Sequence, residues 1–169
     1  PPAWQLMTTA KSPRQQKLVW NRLFNSPIGL GHLFYRYARR RRFLESFSTR
    51  QLFASSQDVD ATWLDTLQEG AEDLQSRYAV FSFLAGFWRE DYETAIGEIK
   101  QPTLVVLGTQ ASSISQQGQQ EDLDSRLSSY LQHLQNGQGE IISGRNVLPY
   151  ESTQQFVDVV SRFLQNREC

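Results

Sequence analysis

A mixed α/β class is what this sequence predicts, with a helical first part and a strand-helix-strand-helix tail that completes a parallel sheet. Three observations predict it. Apolar residues recur at steps of three and four up to about residue 99. A continuous apolar run, Thr103-Leu104-Val105-Val106-Leu107, is closed by Gly108, as in a strand buried on both faces. A shorter run, Gly139 to Ser143, stands between two amphipathic helical patterns. Two strands do not make a sheet that stands alone, so either the helical first part gives them unusual cover or, the favoured reading, the other strands lie outside this chain, in a longer parent or in another chain. The division is then a helical region over residues 1–99 and a βαβα part over residues 100–169.

Each element follows from its local chemistry. Ser12-Pro13 starts a helix, with proline at the first helical position, where its missing N–H costs nothing. Leu18, Val19, Arg22 and Leu23 continue its spacing. Ser26-Pro27 repeats the start signal, and Leu30, Leu33, Phe34 and Tyr37 read as the buried stripe of a second helix whose first turn is weakened by Gly29 and Gly31. Asp58 or Asp60 caps a third helix containing Trp63, Leu64 and Leu67. From Ala71 to Trp88 runs the longest periodic segment, with Leu74, Tyr78, Phe81, Ala85 and Trp88 as its packed face. Beyond Gln101-Pro102 comes the first strand, then a polar loop from Thr109 to Gln120. Leu123, Leu127, Tyr130, Leu131 and Leu134 mark a helix stopped by Asn136-Gly137. The closing helix, Ser152 to Leu164, turns Phe156, Val159, Val160, Phe163 and Leu164 inward.

Composition narrows the class of partner. The 169 residues are 39% hydrophobic and 12% aromatic, enough for a core and too much for a disordered tail. No apolar stretch approaches the roughly 20 residues of a membrane span, and the mean hydropathy is −0.51. The single cysteine, Cys169, builds neither an internal disulfide nor a thiolate metal site. With no basic-then-apolar leader in view, the expected location is cytoplasmic or peripheral to a membrane. The net charge of −1 conceals a polarity: residues 1–50 carry +9, with Glu45 their one acid, and residues 51–169 carry −10. Such asymmetry speaks of surfaces and partners rather than of fold.

The layout resembles the C-terminal half of the α/β-hydrolase superfamily. In that family a helical cap follows the sixth strand, and the chain returns through segments like Pro102 to Gly108, Asp122 to Gln135, Gly139 to Ser143, Gly144 to Glu151 and Phe156 to Leu164. Pro1-Pro2-Ala3-Trp4 looks like the segment leaving the sixth strand. Within the superfamily, the Gln-rich cap and loops look most like those of hydrolase-like proteins of photosynthetic bacteria and plastids. The resemblance implies a serine on a G-x-S-x-G turn, an acid and a histidine, in that chain order. No G-x-S-x-G occurs, and the resemblance puts that turn upstream of residue 1. It puts the acid three residues beyond Gly108, which is Ala111, and no Asp or Glu occurs between Glu98 and Glu121. It puts the histidine just before Leu148-Pro149, which is Val147. A serine without a base is a poor nucleophile. The implied function is a binding or scaffolding protein on a hydrolase-like fold, with Trp63, Tyr78, Phe81 and Trp88 as candidate lining of an apolar cap cavity. The alternative is a serine hydrolase of apolar esters whose nucleophile lies upstream, with His32 as an unusual base. The fold's N-terminal half is the implied partner.

Other chemistry is weak or absent in the pattern. Asp58 with Asp60, and Glu121-Asp122 with Asp124, sit at helix starts, where capping explains them better than calcium. Gly137-Gln138-Gly139 lacks a dinucleotide fingerprint's third glycine, so no metal and no cofactor is expected. The sharpest surface feature is Arg39-Arg40-Arg41-Arg42, preceded by Arg36 and interleaved with Phe34, Tyr35 and Tyr37. It reads as a solvated arginine face or as a contact for an acidic protein or an anionic membrane surface. The acidic remainder of the chain disfavours nucleic acid.

Overall fold

The computed structural model describes residues 1–25, 29–113, 118 and 121–166. It is a mixed helix and sheet structure with two parallel strands, a helical region followed by the βαβα order that the sequence predicts. A short helix α1 (Trp4–Thr8) precedes α2 (Pro13–Val19), which begins at the expected proline and runs on as a wider π turn over Trp20–Phe24. Helix α3 (Leu30–Ala38) follows Gly29; the Ser26-Pro27 start signal lies outside the described residues. A Cβ on Gly31 would stand 2.8 Å from the Phe24 carbonyl oxygen. Glycine there costs helix propensity and lets α3 press against the π turn. Helix α4 (Arg41–Phe47), a second π turn (Ser48–Leu52), α5 (Ala61–Gly70), α6 (Arg77–Ala85) and α7 (Glu93–Gly97) complete this region.

Strand β1 (Thr103–Gly108) pairs in parallel with β2 (Gly137–Ile142), and helix α8 (Leu123–His133) connects them. The chain closes through α9 (Leu148–Glu151) and α10 (Thr153–Gln165). Both faces of β1 are covered. On one, Val105 packs with Ile96, Tyr130 and Leu134, backed by Trp4 and Met7. On the other, Leu104 and Val106 pack against Ile142, Leu148, Val159 and Phe156. The amides of Thr103 and Thr109 donate to Asn136 and Ile142 at 3.0 and 2.8 Å, so odd-numbered residues of β1 point their backbone at β2. In a parallel ladder the alternate residues, Leu104 and Val106, then face the opposite edge, where no described strand pairs.

Several expectations need correction. The periodic run from Ala71 to Trp88 is not one helix. The chain turns after Gly70, passes through a single 3₁₀ turn at Leu74–Ser76, and is α-helical only over Arg77–Ala85. Phe81 and Ala85 are buried, but Leu74 and Tyr78 are exposed; Leu74 lies in the 3₁₀ turn, whose tighter winding takes it off the inward line of the helix. Helix α3 inverts its expected stripe. Gly31, Tyr35 and Ala38 face inward, while Leu30, Leu33, Phe34 and Tyr37 are 48%, 61%, 38% and 54% exposed. The Gly31 approach to Phe24 fixes the helix's rotation, and tertiary contact overrides the apolar pattern. In α2, likewise, Gln16 is buried while Leu18 is exposed; Leu23, in the following π turn, is exposed too, since the Gln16 amide donates to the Gly86 carbonyl at 2.8 Å. Helix α8 ends at His133, and Gly137 already belongs to β2, two residues before its expected start. In α10 Val159 is buried and Leu164 is 56% exposed.

Candidate functional site

The carboxyl end of β1 is held by close backbone packing. A Cβ on Gly108 would lie 2.4 Å from the Gly144 carbonyl oxygen and 2.6 Å from that of Arg145, so the strand end passes the 144–145 loop only as glycine. Beyond it the Gln110 amide donates to the Gly144 carbonyl and the Ala111 amide to that of Gly108, both at 2.9 Å. Asn146 joins three segments. Its Nδ2 donates to the carbonyls of Gln51 at 2.6 Å and Ser112 at 3.1 Å, and its Oδ1 accepts from the Ser112 amide at 3.4 Å. Val147 follows directly, as the N-cap of α9. Ala111 and Val147 thus sit on two loops tied together at one strand end, carrying a methyl and an isopropyl group.

A cavity of about 620 Å³ opens at this point. Leu107, Ala111, Asn146 and Leu148 line it from the sheet side, and Phe83 and Trp88, stacked with ring centroids 5.6 Å apart, from the helical side. No histidine, aspartate or glutamate occurs among the described lining residues, whereas Lys11, Arg89, Arg126 and Arg145 do. These cations are largely tethered. Lys11 Nζ donates to the Ala85 carbonyl at 2.8 Å. Arg126, 3% exposed, pairs with Glu121 at 3.1 Å. Arg145 Nη1 donates to the Arg50 carbonyl at 2.7 Å, while its Nε is buried with no partner among the described groups. The wall is apolar with cationic points, a lining that suits an apolar body with an anionic end. Among the described lining residues it offers no histidine or carboxylate to take a proton from a serine.

Of the four aromatic residues expected to line a cavity, Trp88 does so. Trp63 packs edge-on to Phe53 and donates its indole N–H to Ser48 Oγ at 3.0 Å. Phe81, 1% exposed, stacks on Phe24 at 4.5 Å. Tyr78 is exposed beneath the Arg77 guanidinium. Phe83, Arg145 and Asn146 belong to the lining without any sequence signal to mark them.

His32 does not reach this cavity. It lines a separate cleft of about 400 Å³ with Arg36, Arg39, Arg40 and Leu74. His133 is held by the Ser129 carbonyl at 2.7 Å and Glu93 at 3.1 Å, with its ring against Trp4. The arginine run is divided by the turn between α3 and α4. Arg41 pairs with Asp65 at 2.5 Å, Arg39 donates to the Glu72 carbonyl at 3.3 Å, and Arg42 is exposed on α4. The carboxylate clusters act as caps: Asp60 accepts from the Trp63 amide at 2.7 Å and Asp122 from that of Ser125 at 3.0 Å. Among the described residues no group of three or more metal-ligating side chains is assembled, and no helix is long and apolar enough to cross a membrane.

No family model matches the chain, and no curated protein matches it.

Proposed function

We propose that this chain is the cap and C-terminal half of an α/β-hydrolase-like fold that has lost hydrolysis and acts as a binding protein. Its ligand, on this reading, has an apolar body and an anionic end such as a carboxylate. The cavity at the end of β1 carries the proposal: Ala111, at the position the resemblance assigns to the acid, lines it, and Val147, at the position assigned to the histidine, stands between the lining residues Asn146 and Leu148 without lining it itself. Cations and aromatic rings line it instead. The edge of β1 that no described strand pairs supports the remaining part, a sheet completed by the fold's N-terminal half.

Displacement of a fluorescent fatty acid by oleate tests the binding function. Wild type is expected to bind, and Trp88→Ala and Arg145→Gln to bind about tenfold more weakly, the latter through loss of a charge-assisted hydrogen bond. The hydrolase alternative makes a different forecast. Turnover of a p-nitrophenyl ester by the full-length parent, abolished when its elbow serine becomes alanine, would overturn the non-catalytic reading.

A further inference from the structure

We propose that the outward face of α3 and its basic cleft form a docking site for an anionic phospholipid bilayer. The inference does not depend on the cavity at the end of β1. On a helix of about 3.6 residues per turn, the inward line through Gly31, Tyr35 and Ala38 leaves two neighbouring stripes outside. One is apolar: Leu30, Leu33, Phe34 and Tyr37, each more than a third exposed. The other is basic: His32 and Arg36, one turn apart, continued by Arg39 and Arg40 around the cleft.

Charge and apolarity side by side select the occupant. A soluble phosphate would need the guanidinium groups alone and would leave Leu33 and Tyr37 in water. An acidic protein surface would meet the cations without a matching apolar layer. A bilayer supplies both, since lipid phosphates match the planar donors of arginine and the acyl boundary takes the aliphatic and aromatic side chains of an interfacial helix. The Arg40 guanidinium lies 5.9 Å from the Tyr37 ring, which spans the two stripes. Glu72 and Asp73 stand on the facing turn, where Glu72 gives its carbonyl to Arg39 and Asp73 caps Gln75.

Co-sedimentation of the chain with vesicles tests the site. Binding to phosphatidylcholine vesicles containing phosphatidylglycerol is expected, with none to phosphatidylcholine alone. Arg36→Gln with Arg40→Gln should weaken partitioning by roughly thirtyfold, and Leu33→Ser with Tyr37→Ser by roughly tenfold or more. Arg14→Gln with Lys17→Gln removes the same charge from exposed positions on α2 and should stay within about threefold of wild type, because neither residue lines the cleft of His32, Arg36, Arg39 and Arg40. Equal pelleting with neutral and anionic vesicles overturns the proposal. So does equal loss in the two charge variants, which would reduce the effect to net charge. Displacement from vesicles by glycerol 3-phosphate would make the cleft a site for a soluble phosphate, and retention on single-stranded DNA without vesicle binding would make it a nucleic-acid site; either result overturns the bilayer.

Discussion

Single side chains set the ends of the elements, and they titrate. Hydrogen bonding from the Trp63 amide, then from Tyr150, holds the Asp60 carboxyl below its usual range. The Ser125 hydroxyl and amide do the same for Asp122. A carboxyl that is more acidic folded than unfolded contributes stability above its unfolded pKa, about 4, and loses that contribution as the pH falls through the folded value. Acid unfolding is therefore expected to steepen below about pH 4, and Asp60→Asn with Asp122→Asn to flatten it. Tyr130 works at the other end of the scale. Burial, followed by the Glu121 charge, pushes its phenol up to about 12, and its hydroxyl donates to the Pro2 carbonyl at 3.0 Å. Its contribution is present below the unfolded value near 10 and fades as the pH climbs through the folded one. Both acid caps were legible in the sequence, since a short acid before an amphipathic run has a local purpose. Asn146 was not, because its three partners come from segments distant in sequence.

Elements were legible where propensity and contact agree, and illegible where contact prevails. Gly108 illustrates the first case: it closes an apolar run in the sequence and closes the strand in space. Gly108→Ala should destabilise the fold by about 1–3 kcal/mol, the usual cost of forcing a methyl into packed surroundings, as read by urea denaturation. A full-strength fold in that variant would mean that the 144–145 loop yields freely. Helix α3 illustrates the second case. Its type and rough position follow from the 3.6-residue period, but its rotation follows from Gly31 against Phe24, a contact that no periodicity encodes. The same limit explains the broken α5–α6 region. The spacing from Leu74 to Trp88 is helical in the sequence, but Leu74 stands in a 3₁₀ turn and Trp88 stands beyond Gly86, whose φ of 82° ends α6.

At the scale of the whole molecule, no described strand pairs with the outer edge of β1. In the chain by itself the amides of Leu104 and Val106 face that edge, and they are expected to exchange with deuterium far faster than the amides of Val105 and Leu107, which point at β2. In a longer parent, or with the N-terminal half added in trans, the proposed neighbouring strand should slow Leu104 and Val106 to match. Equal protection of all four amides in the isolated chain would mean that the edge is already closed and the half-fold reading is wrong. The polarity of charge belongs to this scale as well. It was fully legible in the sequence, yet only the folded arrangement separates Arg41, committed to Asp65, from the arginines around the α3 cleft.

On the proposed binding function, residues 50–60 bear on how fast a ligand comes and goes. Arg145 and Asn146 bond to the carbonyls of Arg50, Gln51 and Leu52. Glu151 accepts from the Ala54 amide, and the Tyr150 hydroxyl donates to Asp60. The segment is riveted to the loop that closes the sheet, and its Leu52 lines the cavity. For the proposed ligand, the side chains of Phe83, Leu84 and Trp88 on the far wall would then be the parts that move. Exposed rotamers move in picoseconds to nanoseconds, whereas domain hinges take microseconds to milliseconds. Ligand arrival would then be paced by diffusion, and residence time by the grip of the walls.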